Sequence, residues 1–236
     1  MGVIKIKKLK SCVFLVGILI FSILLVNTAY AEGSSNETFA NDSFDAIQNL
    51  VDNANDGDSI FLESKNYMSN GKSINIQKNI TIYGSDDSKT VLDANGKSNI
   101  LSISNNVNVN LYGLTFVNGK TTSNGGAINN NGNLIISNSS FINNTAYNYD
   151  KGRINGDGGA INNNGNLIIS DSDFVKNYAY NGGAIRGSKD SKFTAENCAF
   201  NENSATFGGS IDSYFSDSQI INCSFFNSEC HEGGAI

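Results

Sequence analysis

Residues 125–137 read GGAINNNGNLIIS, and the same thirteen letters return at residues 158–170. Outward from this pair, Gly-Gly-Ala-Ile begins at Gly125, Gly158, Gly182 and Gly233, and Gly-Gly-Ser-Ile at Gly208, in steps of 33, 24, 26 and 25 residues. A second marker runs in phase: Phe116, Phe141, Phe174, Phe200 and Phe225, in steps of 25, 33, 26 and 25. The long step holds an insertion around residues 149–156, YDKGRING, and removing its eight residues restores the common period. A fixed period in this range belongs to solenoids, in which each repeat buries its apolar face only against its neighbours.

Local pattern decides which solenoid. Leu134, Ile136 and Phe141 recur as Leu167, Ile169 and Phe174, and earlier segments carry Ile80 with Ile82, Leu101 with Ile103, and Val109 with Leu111. This is period-2 alternation in strands of three to five residues, separated by Asn, Gly and Ser; helical repeats need apolar residues at 3.6 spacing over ten or more residues. The expected fold is therefore all-β, a right-handed parallel β-helix with coils of about 25 residues. Each coil adds about 4.8 Å along the axis, so equivalent residues stack in ladders. The phenylalanines become an internal aromatic stack. Leu114, Ser139, Ser172, Cys198 and Cys223, two residues earlier, also turn inward. Gly113, Asn138, Asp171, Asn197 and Asn222 sit at a turn where an amide ladder can form. The paired glycines suit a bend that excludes a Cβ. Residues 59–236 offer room for about seven such coils.

Residues 32–58 form a leader and a capping helix. In FDAIQNLVDNA (44–54), Phe44, Ile47, Leu50, Val51 and Ala54 share one helical face, with Ser43 or Asp42 as N-cap and Gly57 as the stop. Laid across the first coil, this helix covers its apolar cross-section. The chain stops inside the fifth Gly-Gly motif, so residues 59–236 read as a β-helix truncated at its C-terminal end.

Residues 1–31 read as a signal peptide. Lys5, Lys7, Lys8 and Lys10 precede the apolar run CVFLVGILIFSILLV (12–26), and Ala29-Tyr30-Ala31 places cleavage between Ala31 and Glu32. The expected product is secreted or held at the cell surface, with no membrane span in the mature chain. Cleavage removes four of the 16 basic residues and none of the 22 acidic ones, taking the formal charge from −6 to −10. With Arg153 and Arg186 the only arginines and no clustered basic residues, nucleic acid is excluded as a partner.

Gly-Gly-Ala-Ile paired with Phe-x-x-Asn, at Phe141–Asn144, Phe174–Asn177 and Phe200–Asn203, resembles the polymorphic outer membrane protein repeat, as found in adhesin-like surface proteins of methanogenic archaea. The pattern departs at Phe116, followed by Gly119, and at Phe225, followed by Ser228. The resemblance covers about residues 100–236, and segment 42–100 looks like the usual capping start of such β-helices. It implies a pectin-lyase-like fold and a surface location. What such a repeat binds is set by its variable surfaces.

No residue is assigned to catalysis, a cofactor or a metal. One His removes His-based triads and metal sites. Asp171 with Asp173, and Asp212 with Asp217, read as turn carboxylates, because no acidic cluster builds across neighbouring coils. Residues 52–63 place acids at positions 1, 5 and 12 of a calcium loop but put Ala54 at position 3. Cys198 and Cys223 stack in register as thiols, within the reach of a bridge. The expected function is a non-enzymatic, adhesin-like module for cell-surface glycans or envelope proteins, touching them through Tyr147, Tyr149, Tyr178, Tyr180 and Tyr214. The alternatives are a polysaccharide lyase or hydrolase on the same fold, and a structural envelope spacer.

Overall fold

Each repeat folds into one coil, and the coils stack with equivalent residues side by side. The computed structural model describes residues 42–85, 89–150, 153–214 and 216–236. The expected signal segment and its expected cleavage site lie outside the described residues. Among the described residues, two parallel sheets of seven strands, one of six and one of five run along the stack. One coil shows the path. The chain follows a long strand, Asn133–Ser137, then a phenylalanine strand, Ser140–Ile142, then a short strand, Thr145–Ala146. After the Gly-Gly bend it follows Ile161–Asn163 and enters the next long strand, Asn166–Ser170.

The register is the one the repeats dictate. Leu134 pairs with Val109 and Leu167, and Ile136 with Leu111 and Ile169. The inward column is buried while the residues between stay open, so alternation along each strand becomes inside and outside of the coil. Phe116, Phe141, Phe174, Phe200 and Phe225 stack with ring centroids 4.7–4.8 Å apart and planes within 8°. The insertion in the long repeat leaves the coil as an antiparallel hairpin, Asn148–Asp150 against Arg153–Asn155, without disturbing the register on either side.

Besides the Gly-Gly bend, whose first glycine has a φ of 60–99°, two of the four turns in each coil use left-handed backbone. Gly113, Asn138, Asp171, Asn197 and Asn222 have φ of 48–65°. Asn118, Asn143, Lys176, Glu202 and Asn227, two residues after each Phe, have φ of 49–56°. Asn tolerates this region better than most residues, which explains its abundance at the first column. There the side chains are exposed and bond one another, Asn222 Nδ2 to Asn197 Oδ1 at 2.8 Å and Asn197 Nδ2 to Asp171 Oδ1 at 3.2 Å.

The ladder that satisfies buried backbone is a different one. Asn144, Asn177 and Asn203, the last residue of each Phe-x-x-Asn, are fully buried. Asn177 Nδ2 donates to Phe141 O of the preceding coil at 3.0 Å and to Asn203 Oδ1 of the next at 2.9 Å. Its Oδ1 accepts from the backbone N and the Nδ2 of Asn144, both at 3.0 Å. Every amide atom has a partner, as a buried amide requires. Asn130 and Asn163 form a second internal pair at the corner before the long strand, Nδ2 to Oδ1 at 2.7 Å.

The N-terminal end is covered by helix α1, Phe44–Asn53, N-capped by Ser43, whose Oγ accepts from Ala46 N at 3.2 Å. Phe44, Ile47 and Val51 are buried against the first coil. Gln48 meets the open edge of strand Ile74–Ile76: Oε1 accepts from Asn75 N at 2.7 Å and Nε2 donates to Asn75 O at 3.2 Å. A side-chain amide thus stands in for a missing strand. Lys78 Nζ donates to Asp52 O and Ala54 O at the helix C-terminus, where its charge is favoured. Two expectations are corrected. Leu50 is 48% exposed, because the residues at i, i+3 and i+7 already span the coil and Leu50 falls on the flank. The helix ends at Asn53 with Ala54 extended, and Gly57, at φ 89°, serves the turn that follows.

Candidate ligand-binding face

The outward residues of the long sheet form three columns. In the first, Asp56 accepts from Asn79, Asn79 Oδ1 accepts from Asn108 Nδ2 at 3.1 Å, Asn108 Oδ1 from Asn133 at 2.8 Å, and Asn133 Oδ1 from Asn166 at 2.6 Å. The middle column runs from Thr81 and Asn110, bonded at 3.2 Å, to Ile135 and Ile168, exposed by 39% and 48%. The third is aromatic. Phe61 stacks on Tyr83 with centroids 5.0 Å apart and planes 9° apart, and Tyr83 on Tyr112 at 5.1 Å and 16°. Outward neighbours on a strand lie about 7 Å apart, so three columns make a face about 13 Å wide.

The face is polar on one margin and aromatic on the other, with exposed isoleucines between. Such a surface fits a ligand that carries both hydroxyls and C–H faces, as sugars do. Phe61, Tyr83 and Tyr112 escaped the sequence reading because the first coils depart from the repeat period. Their one signal is the Tyr-Gly pair at Tyr83-Gly84 and Tyr112-Gly113.

The five tyrosines expected on the contact surface lie elsewhere, on the short sheet, the hairpin and the chain after strand Ile211–Ser213. Tyr147 and Tyr178 pack together at 5.4 Å, and burial pushes the Tyr178 phenol up. Tyr180 packs edge-on against Phe207. Tyr149 is 67% exposed on the hairpin. Tyr214, also exposed, lies against Arg186, whose guanidinium carbon is 4.4 Å from the ring centre.

Arg186 belongs to a cluster that sequence reading did not assemble. Its Nε lies 3.1 Å from Asp212 Oδ2 and 3.9 Å from Asp157 Oδ1, charge contacts to which its N–H is not directed. Asp157 Oδ1 also accepts from Asn181 Nδ2 at 2.7 Å. Burial pushes the Asp212 carboxyl up, Arg186 draws it down, and Asp157 adds a smaller upward push. In register, Arg186 sits between Asn162 and Asp212, and Asn162 bonds Asn129 at 2.9 Å. An amide column thus continues as a charged one. Asp171 and Asp173 stay exposed, Asp171 being a turn residue, and Asp217 pairs in register with Lys192 on another sheet.

Asp56 and Asp58 are engaged as local caps, Asp58 Oδ2 accepting from Asn55 N at 2.7 Å. Cys198, Cys223 and Cys230 are free thiols, and burial pushes Cys198 up to about 12. Among the described residues no helix is long and apolar enough to cross a membrane, and no group of three or more His, Cys, Asp or Glu is placed to hold a metal ion. In comparisons with protein-family models, curated proteins and solved structures, nothing matches the chain.

Proposed function

We propose that this chain is an exported, adhesin-like rod of the cell surface that holds glycans or other envelope proteins without chemical turnover. The observation that carries the reading is the outer face of the long sheet, where an aromatic stack and an asparagine column run parallel along successive coils. Repetition along the asparagine column supports it further, since a rigid stack presents the same weak contact in successive coils and avidity multiplies. The resemblance of the Gly-Gly-Ala-Ile and Phe-x-x-Asn units to the polymorphic outer membrane protein repeat agrees with this role. The acidic mature chain favours neutral partners over polyanionic ones. Retention of the purified chain on envelope glycans, without cleavage of them, is the expected result. A chain that binds no envelope component leaves the structural spacer instead.

A second reading rests on the Asp157–Arg186–Asp212 cluster. Two carboxylates on one arginine, one of them raised by burial, are groups a polysaccharide hydrolase or lyase would use. It requires new reducing or unsaturated ends when the chain meets acidic polysaccharide, and their loss on Asp212→Asn.

A further inference from the structure

The aromatic column ends abruptly, and its end has the features of a sugar subsite. Phe61, Tyr83 and Tyr112 lie face to face along the stack, so the far face of Tyr112 is the end of the pile. The next two ladder positions are Ser137 and Ser170, whose hydroxyls are bonded at 3.0 Å, and the third is the exposed Glu196. Two positions without a ring leave a notch between the Tyr112 face and the Glu196 carboxylate, whose backbones stand three coil spacings, about 14 Å, apart. Its floor carries two hydroxyls, and its flank is the exposed pair Ile135 and Ile168.

We propose that this notch binds one neutral hexopyranose ring, a terminal or branch residue of a glycan, stacked on Tyr112 as the next ring of the column. The C–H face of a pyranose covers the open phenol ring. Its hydroxyls take Ser137, which can donate and accept, and Ser170, whose proton goes to Ser137 Oγ and which therefore accepts, while the exposed Glu196 carboxylate closes the far end of the notch. That carboxylate and the acidic chain repel a uronic acid, so the class is neutral. The proposal rests on the glycan-binding reading above and narrows it to one place and one sugar class.

The test is titration of the chain, its tyrosine rings carbon-13 labelled, with cellohexaose, mannohexaose, maltohexaose and polygalacturonate. The expected result is a shift of the Tyr112 ring signals by at least one neutral hexaose and none by polygalacturonate. Tyr112→Ala, and Ser137→Tyr, which fills the notch with a fourth ring, each weaken that binding at least tenfold while thermal unfolding stays within a few degrees of the parent. Binding unchanged in both variants overturns the notch and leaves the rod reading intact. A preference for polygalacturonate overturns the neutral class. If the parent also fails to be retained on intact envelope, both readings fall.

Discussion

Asn177 and Asn203 are joined through their side-chain amides, Nδ2 to Oδ1 at 2.9 Å, in a part of the coil where neither is exposed at all. Removing one amide strands several groups at once. Asn177→Ala leaves the backbone N and Nδ2 of Asn144 and the carbonyl of Phe141 without these bonds. Buried unpaired groups cost about 1–3 kcal/mol each, partly relieved by water, so the expected loss is about 2–4 kcal/mol. Urea unfolding checks it. Asn143→Ala, one residue before Asn144 and exposed, is the comparison and shows a smaller loss, on the order of 1 kcal/mol from its left-handed φ of 55°.

The second glycine of the pairs ending at Gly126, Gly159, Gly183 and Gly209 is a packing requirement. A Cβ on Gly183 would stand 2.1 Å from Gly209 O and 2.7 Å from Ser204 N, both backbone of the next coil. Gly183→Ala therefore forces neighbouring coils apart and is expected to lower the midpoint of thermal unfolding by more than ten degrees. Gly96, at φ 67° with nothing within 4 Å of its would-be Cβ, carries only left-handed strain. Gly96→Ala costs on the order of 1 kcal/mol. Equal effects would contradict the packing argument.

Cys198 supplies a pH signature. Burial lifts its folded pKa above the ordinary thiol value of 9.0, to about 12, so the folded state holds this proton more tightly than the unfolded chain. The stability it contributes is complete below pH 9 and is lost between about pH 9 and pH 12, at up to about 1.4 kcal/mol per pH unit. Cys198→Ala flattens that segment of the stability curve. In the native chain iodoacetamide at pH 8 reacts with Cys223 and Cys230 well before Cys198, and in urea the three become alike.

Arg186 balances two half-buried carboxylates. In Arg186→Leu the Asp212 carboxyl, already raised by burial, loses the charge that draws it down and rises further. A raised carboxyl stabilises below its unfolded pKa and loses that contribution as pH climbs through the folded one. The variant is therefore expected to sit closest to the parent near pH 4 and furthest below it near pH 7. Arg186→Leu with Asp212→Leu recovers part of the loss at pH 7, because no uncompensated charge remains at that pair. Equal deficits at both pH values would show that the arginine acts by packing alone.

Much of the architecture was legible because a solenoid converts period into position. Once the steps between Phe116, Phe141, Phe174, Phe200 and Phe225 were known, one strand spacing per coil placed them in a stack. The hairpin at Asn148–Asp150 and Arg153–Asn155 was visible only as extra length, since a departure from period tells where the chain leaves the coil and not what it forms. Asparagine was harder to read. The same residue serves the exposed left-handed turn at Asn197 and the buried ladder at Asn203, and composition does not separate a backbone role from an amide role.

By itself the sequence determined the parallel coil, its register, the inward phenylalanines and the helix over the first coil, all of which follow from spacing and alternation. Only the tertiary structure decided which outward residues become neighbours where the spacing leaves the common period. Phe61, Tyr83 and Tyr112 are 22 and 29 residues apart, off the common period, and so is Asp157, 29 residues before the Arg186 it meets. Local propensity carries no information about such meetings. They arise because coil stacking brings distant side chains within one strand spacing, and because corner geometry sets which of them face each other.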